Sequence, residues 1–234
     1  MSAFQGFPKE GFAFLAGLSR HNEKAWFEAH REIYDRAIQV PALALVAELG
    51  ARLRKRVPSL KLEPRIGGSL FRIHRDTRFS ADKSPLKTHV GIRLRDGDTA
   101  TSTKCSGPLF YLELRAEKLR LGSGIKEFDP ATLEAFRRKV AGRSGARQIQ
   151  SLIADAEDRG HAVVGEMLAR PPAAYASVGA GELLRRKGLF VTEEMALPAI
   201  THETGFIKFC DDWFKPYVPL FEEMRSLALG GRGG

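Results

Sequence analysis

Four short runs of strand-forming residues follow one another near the middle of this chain: Ser69 to Arg75, Thr88 to Leu94, Leu109 to Arg115 and Lys118 to Ser123. Turn-forming Asp96-Gly97-Asp98, Ser106-Gly107-Pro108 and Ala116-Glu117 punctuate the later ones. Turn chemistry of this kind joins antiparallel neighbours, so the runs predict an antiparallel meander of about four strands. In the third run Phe110, Leu112 and Leu114 alternate with Tyr111, Glu113 and Arg115, and in the first Leu70 and Arg72 alternate with Phe71 and Ile73. Successive side chains on a strand point to opposite faces. One face can therefore line a core while the other presents polar groups.

An apolar sheet face needs a cover, and helical patterns flank the meander on both sides. Before it, Phe12, Leu15 and Leu18, then Trp26, Phe27, Ile33, Tyr34 and Ile38, recur at helical spacing, with Asn22 as an expected N-cap. Pro41 opens a further helix at a position where its missing N–H costs nothing, and Leu43, Val46, Leu49 and Leu53 follow on one face. After the meander, Asp129 before Pro130 starts a helix carrying Leu133, Phe136 and Val140; a second carries Ile149, Leu152, Ile153 and Ala156. A short helical piece is expected around Glu182 to Lys187. The last pattern, Phe206 to Leu227, is a helix broken or kinked at Pro216 and Pro219, its aromatic stripe serving core packing. The expected fold is α+β: an antiparallel sheet of about four strands packed with N-terminal and C-terminal helices. Residues 1–229 are expected to form a single domain and the Gly-rich residues 230–234 a disordered tail.

At 234 residues a sizeable core is within reach. Two cysteines, Cys105 and Cys210, stand in unrelated contexts, which suggests neither a disulfide framework nor a zinc site. The N-terminus lacks a basic stretch followed by an apolar core, and no apolar run reaches the length of about eighteen residues that spans a bilayer. The expectation is a cytoplasmic protein with no membrane partner. A sequence pI near 9.8 favours anionic partners, because summed positive potential raises their local concentration.

That charge is concentrated. Residues 65–95 hold eight Lys/Arg against two Asp/Glu, supplying six of the formal +9. With strands at Ser69 to Arg75 and Thr88 to Leu94, the connection from Asp76 to Lys87 becomes a loop at one sheet end. Arg72, Arg75, Arg78, Lys83 and Lys87 are the candidate ligand-binding residues: arginine's planar fork binds carboxylate or phosphate bidentately and lysine adds a flexible point charge. Asp76 would orient an arginine, and His74 and His89 are candidates for moving a proton near neutral pH. At most half of these groups converge unless the strand bulges. Ser84 and Thr88 are read as turn residues. No metal site is expected, and neither a G-x-S-x-G elbow, a G-x-x-x-x-G-K-[ST] loop nor an H-E-x-x-H helix is present. A nuclease-like carboxylate set would have to draw on Glu113 with Asp96 or Asp98.

The run Arg72-Ile-His74-Arg75-Asp76-Thr-Arg78-Phe79, with Lys83 downstream, resembles the R-x-x-R-D-x-R-F pattern of the bacterial and fungal "domain of unknown function 2461" family. Asn22 with Trp26-Phe27 and Arg31 near Tyr34 looks like its N-terminal signature; Arg170-Pro171-Pro172 before Tyr175, then Leu183 to Gly188, looks like its C-terminal one. Where that family often has a tyrosine after the loop proline, this chain has Leu86. The resemblance covers nearly the whole chain and implies no particular reaction or cofactor. Three functions therefore stay open: binding of a phosphorylated or otherwise anionic ligand at the basic motif, which leads; a nucleic-acid-binding module, nuclease-like or not, with Phe71 and Phe79 as candidate stacking residues; and a non-catalytic structural or interaction protein whose Arg/Asp motif is an internal ion-pair network. Oligomeric state is not specified by these patterns.

Overall fold

The computed structural model describes residues 3–78, 80–99, 107–175 and 179–231. Phe79, Cys105, Ser106 and residues 232–234 of the Gly-rich tail lie outside the described residues. The chain begins with α1 (Lys9–Arg20), α2 (Lys24–Ala29) and α3 (Arg31–Tyr34), then passes through a single wide π turn (Asp35–Gln39) into α4 (Val40–Arg54). The one helix expected over 22–38 is thus divided. His30 leaves helical geometry at φ −116°, and its Nδ1 bonds the Trp26 carbonyl at 2.7 Å, satisfying an oxygen that the break leaves open. Glu23, not Asn22, occupies the N-cap position of α2. Pro41 lies in the first turn of α4, as its chemistry predicts.

The strands are β1 (Leu60–Lys61), β2 (Val90–Asp96), β3 (Leu109–Leu114), β4 (Lys118–Ile125), β5 (Ala162–Val164) and β6 (Leu189–Ala196). Between them come α5 (Pro130–Ala141), α6 (Arg143–Glu157) and α7 (Gly181–Arg185); α8 (Phe206–Phe214) and α9 (Val218–Gly230) follow. The strands form one antiparallel sheet in the order β1-β2-β3-β4-β6-β5, with β5 and β6 in register through Val163 opposite Val191. Six strands replace the four expected. Three of the four runs became β2, β3 and β4, but Ser69 to Arg75 did not become a strand. β1 and β5, two and three residues long, are too short to display alternation, and β6 is buried at Leu189-Phe190-Val191 but polar beyond.

The chain divides into two compact units. The first comprises residues 1–94, 111–121 and 194–215. Here α4 packs on α8 and β1. Phe4, Phe7 and Phe206 form an aromatic cluster, Phe7 meeting Phe206 edge-on at 6.3 Å. Ile92, Leu94, Leu112 and Leu114 are buried, on the apolar sheet face that alternation predicted. The second unit comprises residues 95–110, 122–193 and 216–234. In it α5 packs on α6, α7 and α9, and α6 on β5. Phe110 stacks on Phe221 with ring centroids 4.7 Å apart. Asp129 caps α5 by accepting from the Thr132 N–H at 2.7 Å. The expected break near Pro216 is a 3-10 turn at Lys215–Tyr217, and Pro219 sits in the first turn of α9. Gly230 ends that helix instead of opening a disordered tail. The Cys210 thiol is buried, and burial pushes its pKa up. No helix among the described residues is long and apolar enough to cross a membrane.

Candidate functional site

Ser69 to Arg75 runs antiparallel beside residues 85–93, in the first unit, without forming a regular ladder. The Phe71 N–H bonds the Gly91 carbonyl at 2.9 Å and the Arg93 N–H bonds the Ser69 carbonyl at 2.8 Å. Two residues on, the pairing has slipped: the Lys87 N–H bonds the Ile73 carbonyl at 2.8 Å and the Arg75 N–H bonds the Pro85 carbonyl at 2.9 Å. Residues 88–90 consequently stand opposite Arg72 alone, two more than a ladder needs. The isolated bridges Leu70 to Ile92 and His74 to Leu86 lie on either side of this bulge. This is the irregularity that convergence of the charged groups required, although it falls on the second run and not the first.

The bulge gathers cations around Lys87. Its ammonium donates to the Arg72 carbonyl at 2.9 Å and lies 5.0 Å from the centre of the Phe71 ring, over which the Arg93 guanidinium also sits at 4.9 Å. Burial lowers the pKa of Lys87, and the positive charges of Arg72, Arg93 and Arg75 lower it further. Arg72 is exposed, and its guanidinium has no hydrogen-bond or ion-pair partner among the described residues. Arg75 reaches Asp82 at 2.7 Å. Arg93, reached only through the bulge, was not among the residues the sequence nominated for the site.

The other nominated groups are engaged locally. Arg78 holds Asp76 in a bidentate pair, Nε to Oδ1 at 2.9 Å and Nη2 to Oδ2 at 2.7 Å, and the hydrogen bonds from Arg78 hold the Asp76 carboxyl down to about 2. Lys83 donates to the Thr77 carbonyl at 3.0 Å. Ser84 closes a turn on Asp82 through its N–H at 2.9 Å and its hydroxyl at 2.6 Å, in keeping with its reading as a turn residue. His74 meets the Phe27 ring edge-on at 5.9 Å.

His89 belongs to the bulge, and it faces Glu113, which alternation had placed on the polar sheet face and which the sequence offered only as part of a nuclease-like carboxylate set. Glu113 of β3 is only 4% exposed. It accepts from the Tyr111 hydroxyl at 2.6 Å and from Arg115 Nε at 2.7 Å, with His89 Nε2 and Arg120 Nη1 each 3.9 Å away. Burial would raise the Glu113 pKa, but the hydrogen bonds from Tyr111 and Arg115 outweigh it and hold the carboxyl below its ordinary value. Burial, with the hydrogen bond to Glu113, raises Tyr111, and burial lowers His89, which favours the neutral imidazole. Thr88 and Arg115 open onto a cavity of about 510 Å³ that is bounded by Ser19 and Arg20 of α1 and by Lys118.

Asn22 anchors the bulge. Its side-chain amide donates to the Leu86 carbonyl at 2.9 Å and accepts from the Leu86 N–H at 3.0 Å, fixing the residue before Lys87. The carboxylates that a nuclease-like reading would draw on are committed: Asp96, fully buried, and Asp98 both bind Arg225, and Glu113 has the partners above. Among the described residues no group of three or more His, Cys, Asp or Glu is placed to hold a metal ion.

Helices packed with an antiparallel sheet define an α+β protein. Residues 10–222 match the family described as "Conserved hypothetical protein (DUF2461)", and the chain belongs to it. No curated protein and no solved structure matches the chain.

Proposed function

We propose that this protein, in the cytoplasm, binds a small phosphorylated ligand at the bulge, held by Lys87, Arg72 and Arg75 with Arg93 behind them. One observation carries the reading. The Lys87 ammonium lies 5.0 Å from the centre of the Phe71 ring with the Arg93 guanidinium over the same ring at 4.9 Å, and the positive charges of Arg72, Arg93 and Arg75, the last paired with Asp82, act on it together. Like charges brought together at the expense of the fold are relieved by a bound anion, and phosphate oxygens accept from both guanidinium and ammonium donors. The Arg78–Asp76 pair is neutralised internally and belongs to the loop's architecture, so Arg78 leaves the ligand set. His89, with its neutral form favoured and an ionised Glu113 beside it, is the group suited to accept a proton from a bound ligand or water. The nucleic-acid reading is less well supported, because the half-buried Phe71 ring packs on Gly91 and carries Lys87 and Arg93 over it, which limits stacking by a base.

The test is isothermal titration of the full chain with pyrophosphate, nucleoside monophosphates and sugar phosphates, beside fluorescence anisotropy with labelled single- and double-stranded DNA and RNA. Saturable binding of a small phosphate compound, lost in folded Arg72→Ala and Lys87→Met, is the expected result. Silence from every small phosphate would sink the proposal, and oligonucleotide binding alone would transfer the site to the nucleic-acid reading.

A further inference from the structure

The second unit holds a charged group that the phosphate site does not employ. Arg186, within the basic cluster of the C-terminal signature, is only 7% exposed. Its Nε is fully buried without a hydrogen-bond partner, and the nearest carboxylate oxygen, on the largely exposed Glu182, stands 4.0 Å from Nη2. A guanidinium N–H removed from water without a hydrogen bond is costly, and native structures rarely keep such a group unless something else satisfies it. Protein atoms among the described residues do not satisfy it. Arg186 instead lines a cavity of about 240 Å³ between α6 and α7, whose polar lining also includes Gln150, Glu157 and Glu182.

The chemistry of that lining selects a ligand. A planar guanidinium with unused N–H groups complements a carboxylate, which it grips through two parallel hydrogen bonds. A plain anion would then meet two carboxylates against one guanidinium, which disfavours it. A molecule that brings its own positive charge close to its carboxylate satisfies both signs. The volume lies below the range of about 300–1,000 Å³ typical of drug-sized ligands, so the occupant is small. We propose that this cavity binds a zwitterion of the α-amino-acid class, its carboxylate on Arg186 and its ammonium toward Glu157, with Gln150 as a further hydrogen-bonding group. The proposal is independent of the phosphate site, which lies in the other unit.

The test follows the arginine Nε–H resonances of the ¹⁵N-labelled full chain by NMR, with the Arg186 signal assigned by its loss in Arg186→Lys. The proteinogenic amino acids are titrated in turn, beside the matching amines, which lack the carboxylate, and acetate and propionate, which lack the ammonium. The expected result is a saturable shift of the Arg186 signal with one or more amino acids at millimolar concentration, and an affinity for the corresponding amine and carboxylate weaker by about tenfold or more. Glu157→Gln, at an exposed position, keeps the test open if Arg186→Lys fails to fold: it should weaken amino-acid binding without weakening propionate binding. If no amino acid shifts any arginine Nε–H signal at tens of millimolar, or if amines shift the Arg186 signal as well as amino acids do, the proposal is overturned. It is overturned equally if Glu157→Gln leaves amino-acid affinity unchanged.

Discussion

At the level of single residues, Lys87 and Glu113 are held in opposite ways, and their variants should diverge. The lowered pKa of Lys87 means that the folded chain holds this proton less tightly than the unfolded one, so the charge opposes folding at neutral pH. Lys87→Met should therefore fold as well as the parent or gain about 0.5–1 kcal/mol in urea unfolding, while losing the proposed phosphate binding. An ion-pair role would have given the contrary result, a less stable protein. Glu113 is a buried carboxylate whose partners favour its ionised form. Glu113→Gln leaves the half-exposed Arg115 without its counter-charge and should cost about 1–2 kcal/mol in the same measurement. The pH dependence follows from the sign of the shift. A depressed folded-state pKa gives stability that is present above the ordinary glutamate value of 4.5 and lost as pH falls through the lower folded value. Acid unfolding curves of the parent should show that loss, and those of Glu113→Gln should lack its share.

At the level of elements, the segment at 69–75 shows how a readable pattern can mislead. Leu70 and Ile73, which alternation would place on opposite faces, are both buried, and the two surplus residues at Thr88-His89 break the pairing that would have made a strand. Alternation reads faces only where the strand is regular, and ladder continuity depends on a partner whose length the local sequence does not report. Asn22 gives the same lesson from the helical side. Its identity suits an N-cap, yet its amide is used 64 residues away on Leu86, a partner no local rule could supply. The clamp can be weighed directly. Asn22→Ala removes two hydrogen bonds to backbone and should cost about 1–3 kcal/mol, and with Leu86 released the phosphate affinity should fall while Lys87 itself is intact. Gly91→Ala reaches the same place from the other side: a Cβ there would overlap the Phe71 ring. Displacing that ring, on which both Lys87 and Arg93 rest, should weaken binding at a stability cost of about 1–3 kcal/mol. Circular dichroism melts set beside binding isotherms separate the two effects.

Across the molecule as a whole, the charge map read from sequence and the bulge of the structure fall in the same segment. Residues 65–95 carry most of the surplus charge, and the cations at the bulge come from that segment; which of them are matched depended on Asp76 and Asp82, whose reach is a property of the loop. Periodicity likewise exposed β2, β3 and β4 and the longer helices on either side of them, while β1 and β5 are too brief to carry a period and β6, eight residues long, was missed because its buried Leu189-Phe190-Val191 run gives way to half-buried and exposed residues without alternation. Electrostatic attraction at such a site is screened by salt. A small phosphate held by about three cations should therefore bind more weakly at high ionic strength, but with far less than the log–log slope of about −3 that three released counterions would give on double-stranded DNA. Titration between low and physiological salt distinguishes the two. The bulge also bears on how such a chain could gain or lose its site. Two surplus residues keep Arg72, Lys87 and Arg93 crowded instead of spaced along a hairpin. A deletion of six nucleotides that removed Thr88 and His89 would bring the two segments into one uninterrupted register, leaving every core residue in place and none of the crowding on which the proposed phosphate site rests.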